Sequence, residues 1–174
     1  MTTVLRKTFL CLLVSAAVVT EASACSSSKP VAKTSKSTTT SAPKKKISRG
    51  EFEEEILAYT NKFRQSKGKP PLKLVDVISD EARDHSKDMA NGRTGFGHEG
   101  FESRIDHVTK KMGRVAGAAE NVAYGNLDAQ GVVNGWINSP GHRKNMLGDY
   151  TMIGIGVAEG KNNITFFTQV FIKQ

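Results

Sequence analysis

Residues 152–172, MIGIGVAEGKNNITFFTQVFI, carry the pattern from which the architecture can be read. Met152 to Ala158 and Ile164 to Ile172 are rich in β-branched and aromatic residues. Gly160-Lys161-Asn162-Asn163 between them supplies a turn, so the pattern is that of an antiparallel hairpin. Side chains alternate across a strand. The second arm therefore places Phe167 and Phe171 on one face and Ile164, Phe166, Val170 and Ile172 on the other. A strand that is apolar on both faces is a central strand covered on both sides.

Upstream of the hairpin the apolar period is helical. Ser48-Arg49-Gly50-Glu51 has the spacing of a capping box, and Phe52, Ile56, Tyr59 and Phe63 follow as one stripe. Gly68, Pro70 and Pro71 end that helix. A second helix is expected over Val77 to Ala90, where Ile78, Ala82, His85 and Met89 repeat the stepping and place His85 on or beside a buried face. Asn91-Gly92 then breaks the chain, and Gly95, Gly97 and Gly100 surround His98. Phe101, Ile105, Val108 and Met112 mark a third helix, with His107 on its solvent side. A fourth runs from Asp128 to Asn138 with Val132, Val133, Trp136 and Ile137 inward, and Gly131 and Gly135 open to a close neighbour. Ser139-Pro140 reads as an N-cap and first helical residue of a short helix that closes at Leu147-Gly148. Helices preceding a small, doubly covered sheet make an α+β sandwich of about 125 residues, enough to bury a little under roughly 70% of its unfolded-chain surface.

The first 47 residues have a different character. Arg6 and Lys7 precede an apolar run from Phe9 to Val19, and Ala22-Ser23-Ala24 offers small residues for cleavage, so 1–24 reads as a secretory signal peptide. The run is short for a bilayer span. Cys11 leaves with the peptide, and Cys25 is then without an intrachain partner. Cys25 directly follows the cleavage site. Acylation there would make a cell-surface lipoprotein, an alternative opposed by Glu21 and by Ala at position 22. Residues 25–47, rich in Ser, Thr and Lys, have too little apolar content to offset ordering entropy and read as a disordered linker. The folded body is 48–174.

Of 25 basic and 17 acidic residues, positions 1–47 take eight and one, which leaves the body with 17 and 16. A body this close to neutral has no overall excess to hold a phosphate backbone, so nucleic acid is excluded as its default partner. It also contains no cysteine, so packing alone stabilises it.

Three segments join ionisable residues to turn chemistry: Phe96-Gly97-His98-Glu99-Gly100, Ala119 to Gly125, and Trp136 to Leu147. In isolation each also reads as a hydrogen-bonded loop. Their order and spacing resemble the CAP superfamily of cysteine-rich secretory proteins, antigen 5 and pathogenesis-related 1 proteins, also called the SCP-like extracellular domain, in its microbial, disulfide-free type. The resemblance covers nearly all of 50–174. It includes Asn61-Lys62-Phe63-Arg64, Gly68, Pro71-Leu72, Glu120-Asn121-Val122-Ala123 and Trp136 through Leu147. It closes with Ile153-Gly154-Ile155-Gly156-Val157 and Thr168-Gln169-Val170-Phe171.

The resemblance implies a three-layer α-β-α sandwich with a small central antiparallel sheet and a cleft lined by His98, Glu120 and His142, with Ser139 and Asn121 beside them. The family's second glutamate falls at Ser139 here. Two imidazoles and one carboxylate can hold zinc or a similar divalent ion with a position left for water, and Glu120 can instead orient the imidazoles by hydrogen bonding. A Ser139–His142–Glu120 triad lacks a nucleophile elbow. Three readings stay open: a binding cleft without turnover, a metal-assisted extracellular hydrolase, and a buried polar network. The expectation is a secreted, monomeric binding protein that needs no cofactor. Its ligand class is a sterol or other lipid, or a cell-surface partner, and it meets a membrane only if Cys25 is acylated. Asn163-Ile164-Thr165 is a glycosylation sequon at the turn, relevant in a eukaryotic source.

Overall fold

The computed structural model describes residues 48–174. The expected signal peptide (1–24), the linker (25–47) and Cys25 lie outside the described residues.

Helix α1, Arg49–Ser66, starts at the capping box: the Glu51 amide donates to Ser48 Oγ at 3.2 Å and the Ser48 amide to Glu51 Oε2 at 2.7 Å. Its most buried line is Glu53, Ile56, Thr60 and Arg64, while Phe52, Tyr59 and Phe63 are only partly buried. The apolar stripe thus flanks the buried line, because the polar residues on that line all find partners. Glu53 binds Arg83 at 2.6 Å, and Thr60 Oγ1 accepts from Gln169 Nε2 at 2.9 Å. Arg64, fully buried, donates to the carbonyls of Pro70, Met146, Gly148 and Tyr150. Burial draws its pKa below the ordinary value, with Asp149 working in the opposite direction.

Strand β1 is only Lys73–Leu74; α2 is Asp76–Asn91 and α3 is Phe101–Met112. Strand β2, Gly117–Gly125, is followed by α4, Ala129–Asn138, and α5, Pro140–Met146. The chain ends in β3, Met152–Glu159, and β4, Thr165–Lys173, joined through a 3-10 turn at Lys161–Asn163. The sheet order is β1-β3-β4-β2, antiparallel except for the two-residue β1–β3 pair. The expected hairpin is therefore its centre. Phe167 and Phe171 pack with Ile56, Val133 and Trp136 on one side; Val170 and Ile172 pack with Ile78, Ala82 and Val108 on the other. This is the three-layer sandwich. On the second side, α2 lies directly on the backbone of β3: a Cβ at Gly154 would stand 2.3 Å from the Ile78 carbonyl carbon, and one at Gly156 2.1 Å from that of Ala82.

Strand β2 is the element that its residue pattern concealed, since alanines, glycines, Glu120 and Asn121 give no apolar alternation. Pairing with β4 along its nine residues holds it in the sheet. Its outer side is covered from α4 and α5: Trp136 Nε1 donates to Val122 O at 3.3 Å and Asn145 Nδ2 to Glu120 O at 3.1 Å.

Some local expectations are corrected. Ser139 has the extended backbone of an N-cap, but its side chain makes no capping bond. The last cap of α5 is Leu147, and Gly148 has no positive φ; a Cβ there would meet the Tyr150 ring at 2.3 Å, so close approach accounts for the glycine. Gly135 faces open space rather than a neighbouring element, and the nearest approaches to Gly131 come from Leu127 and Asp128 of its own helix start. Asn163 is exposed in the hairpin turn with φ 57°.

Candidate functional site

Glu120 is the centre of the site. Its side chain is 2% exposed, and β2 aims it toward the layer formed by α2 and α3. Arg104 of α3 grips it as a fork, Nε to Oε2 at 2.9 Å and Nη2 to Oε1 at 2.8 Å. The remaining guanidinium arm donates to Glu99 O at 2.7 Å. Glycine suits position 100: it sits at φ 74°, where other side chains are strained, and a Cβ would stand 3.3 Å from Arg104 Nη1.

His98 comes from the loop that Arg104 secures. Its Nδ1 lies 2.9 Å from Glu120 Oε1, and its side chain is 54% exposed. A carboxylate only accepts, so Nδ1 carries the proton. His85 stands behind the pair. Its Nε2 is 3.8 Å from Glu120 Oε1 and donates to Gly97 O at 2.8 Å. Burial is the main cause holding the His85 pKa below its ordinary value; Arg104 and His98 add to it, and the Gly97 bond and Glu120 oppose it.

His142 sits in the first turn of α5. Burial, and after it the electrostatic influence of His98, lowers its pKa. Its helix is tied down from below. Asn121 Nδ2 donates to His142 O and to Gln169 Oε1, each at 3.2 Å, while Asn121 Oδ1 accepts from Asn145 Nδ2 at 3.0 Å. Asn121 is fully buried. It therefore supports the cleft rather than lining it.

His142 and Ser139 line an apolar groove of about 300 Å³ together with Trp136, Val122, Phe96, Tyr124 and Leu127. Among the described residues, Phe96 (52%), Tyr124 (56%) and Leu127 (39%) are the exposed large hydrophobics, and all three line this groove. The Phe96 ring meets Tyr124 edge-on at 4.7 Å, and Tyr124 stacks on Phe166 at 5.8 Å. A larger hollow of about 720 Å³, beside Ser48, Phe52, Lys87 and Glu159, contains no histidine and lies at the start of α1. The histidine and the exposed aromatics mark the smaller groove as the better candidate.

The donor set bears on a metal. Both Glu120 oxygens are engaged by Arg104, and Oε1 also by His98. No group of three or more His, Cys, Asp or Glu side chains with metal-holding geometry occurs among the described residues. His98 Nε2 and a nitrogen of His142 are the donors left, fewer than the three protein ligands of an ordinary catalytic zinc site. The residues present thus fit a resident divalent ion poorly.

Sequence reasoning missed Arg104 altogether and gave His85, Asn145 and Gln169 no part in the site. Their roles depend on partners 16 to 48 residues away along the chain, and no local spacing announces them.

Of the three residues expected around one cleft, His142 lines the groove, whereas His98 and the buried Glu120 do not; Phe96, two residues before His98, does. Residues 57–171 match the model of the cysteine-rich secretory protein family, CAP, and the chain belongs to that family. It is 36% identical over 138 residues to the uncharacterized protein YkwD of Bacillus subtilis, covering 78% of this chain and 51% of that protein. It is 34% identical over 134 residues to the uncharacterized membrane protein YlbC of the same organism, covering 70% and 34%. The chain thus spans about half or less of these relatives. Among solved structures, an extracellular SCP-domain protein from Bacillus anthracis superposes with TM-score 0.63 at 31% identity, covering 72% of this chain and 41% of that one. An outer surface protein from Borrelia burgdorferi superposes with TM-score 0.65 at 23% identity, covering 74% and 96%, a likeness of fold alone.

Proposed function

We propose that this CAP-domain protein is exported and acts by binding an apolar or amphipathic ligand, lipid-like in character, along the groove between Leu127 and His142. One observation carries the reading: every exposed large hydrophobic among the described residues lines that one groove. Exposed apolar surface gathered at one place marks a binding site more often than scattered exposure does. Export is supported by the charged and apolar pattern of residues 1–24, and by the Bacillus anthracis relative, which is described as extracellular. The metal-assisted hydrolase finds less support, because Arg104 engages the carboxylate such a mechanism would use.

Trp136 is the single tryptophan and lines the groove. A brominated long-chain alcohol bound there should quench its fluorescence saturably, and Tyr124→Ala and Leu127→Asp should each weaken the effect at least about tenfold, the equivalent of one well-buried apolar contact. Quenching that never saturates, or that both variants leave unchanged, would sink the reading.

A further inference from the structure

We infer that Arg104 is the positioning residue of this cleft: it fixes His98 with its proton on Nδ1 and leaves the Nε2 lone pair to receive a hydrogen-bond-donating head group, a hydroxyl or an amide N–H. The choice of head group rests on the proposed groove ligand; the tautomer does not.

A buried, ionised Glu120 is costly unless it is paired and hydrogen-bonded. Arg104, itself 8% exposed, supplies that pairing through two parallel bonds. A guanidinium fork accepts a carboxylate in one orientation only. Oε1 is therefore presented to His98 and cannot rotate away. Through Glu99 O the same guanidinium also holds the residue next to His98, so it fixes both sides of the 2.9 Å bond.

His85, the nearest competitor for Oε1, is occupied with Gly97 O. The result at His98 is a proton on Nδ1, whereas a neutral imidazole free in water favours Nε2. Nε2 sits on the ring edge away from Glu120 and the imidazole is half exposed; His98 does not itself line the groove, but Phe96, two residues before it, does. Glu120 and Arg104 neutralise each other, so the cleft offers that lone pair without a net negative charge beside it. An uncharged donor suits it better than a hard cation.

The test uses the folded 48–174 body in its full chain, labelled with 15N, and reads the His98 tautomer from long-range proton–nitrogen spectra at pH 8. The wild type should show Nδ1–H. In Arg104→Gln the proton should move largely to Nε2, and Arg104→Lys, which cannot form the fork, should fall between. Glu120→Ala provides a check that leaves Arg104 in place and removes the acceptor outright. With nothing at Nδ1 to receive it, the proton should move largely to Nε2. Nδ1–H persisting in a folded Glu120→Ala, or in a folded Arg104→Gln, would overturn the assignment.

For the head group, the brominated alcohol should bind the wild type about tenfold more tightly than its methyl ether, the value of one buried hydrogen bond, and Arg104→Gln should erase the difference. Equal binding of the two compounds to the wild type overturns the head-group assignment. Absence of quenching by both overturns the groove reading instead, and leaves the spectra to decide Arg104.

Discussion

Arg64 Nη1 donates to the carbonyl of Met146 at 2.7 Å, joining α1 to the last residue of the helix that carries His142. With Gly148 O, Tyr150 O and Pro70 O it gathers four carbonyls that would otherwise lie without a donor at a helix end and in the loops around it.

Arg64→Met should therefore be strongly destabilising although it adds an apolar side chain to a buried position. Several carbonyls are left unpaired at about 1–3 kcal/mol each, so a loss of roughly 3 kcal/mol or more is expected in urea unfolding. Arg64→Lys should recover only part of it, because an ammonium cannot span four acceptors arranged around a planar fork.

Gly156→Ala should cost about 1–3 kcal/mol, the range for overpacking a filled site, because the new methyl would meet the α2 backbone at Ala82. Gly135→Ala, in open space on α4, should be neutral or slightly stabilising through helix propensity. Thermal melts of the two variants side by side give the contrast directly.

Stability should fall on acidification from pH 7 toward pH 5. His85 and His142 both have folded pKa values below the ordinary 6.5, mainly through burial. The unfolded chain therefore binds more protons than the native one once pH drops below about 6.5. Their contribution is complete above that value and is progressively lost beneath it. Urea midpoints at the two pH values measure the slope, and His85→Gln, which keeps a donor for Gly97 O, should flatten it.

Asn121→Ala should uncouple α5 from the sheet. It removes bonds to His142 O, Gln169 and Asn145 at once, so about 2–4 kcal/mol is expected for a network whose other members are half-buried or buried. Faster amide exchange confined to residues 140–147 would show that the loss is local to the helix bearing His142.

The sandwich was legible because its decisive strand is short-range information: two apolar faces within nine residues and a turn beside them. The helix ends at Ser48 and Gly92 were legible for the same reason. Strand β2 was not, since its identity lies in pairing with β4 rather than in its own residues. His98 and Glu120, implied by the CAP resemblance, do meet. Arg104, which joins them, was invisible: on an amphipathic helix an arginine four residues after a glycine reads as a surface charge, and only the fold reveals the carboxylate it grips.

The covering of the Glu120 and Val122 carbonyls by Asn145 and Trp136 has a consequence for life at high concentration. A sheet ends on two sides, and here one side is closed by side chains from α4 and α5. The other is a two-residue strand, beyond which Ser79 of α2 engages the Ile155 amide. Among the described residues, each side therefore has fewer free amides and carbonyls for a neighbouring copy to template on than its outer strand alone would leave. Edge-on stacking of copies is thereby hindered without a single cysteine cross-link in the body.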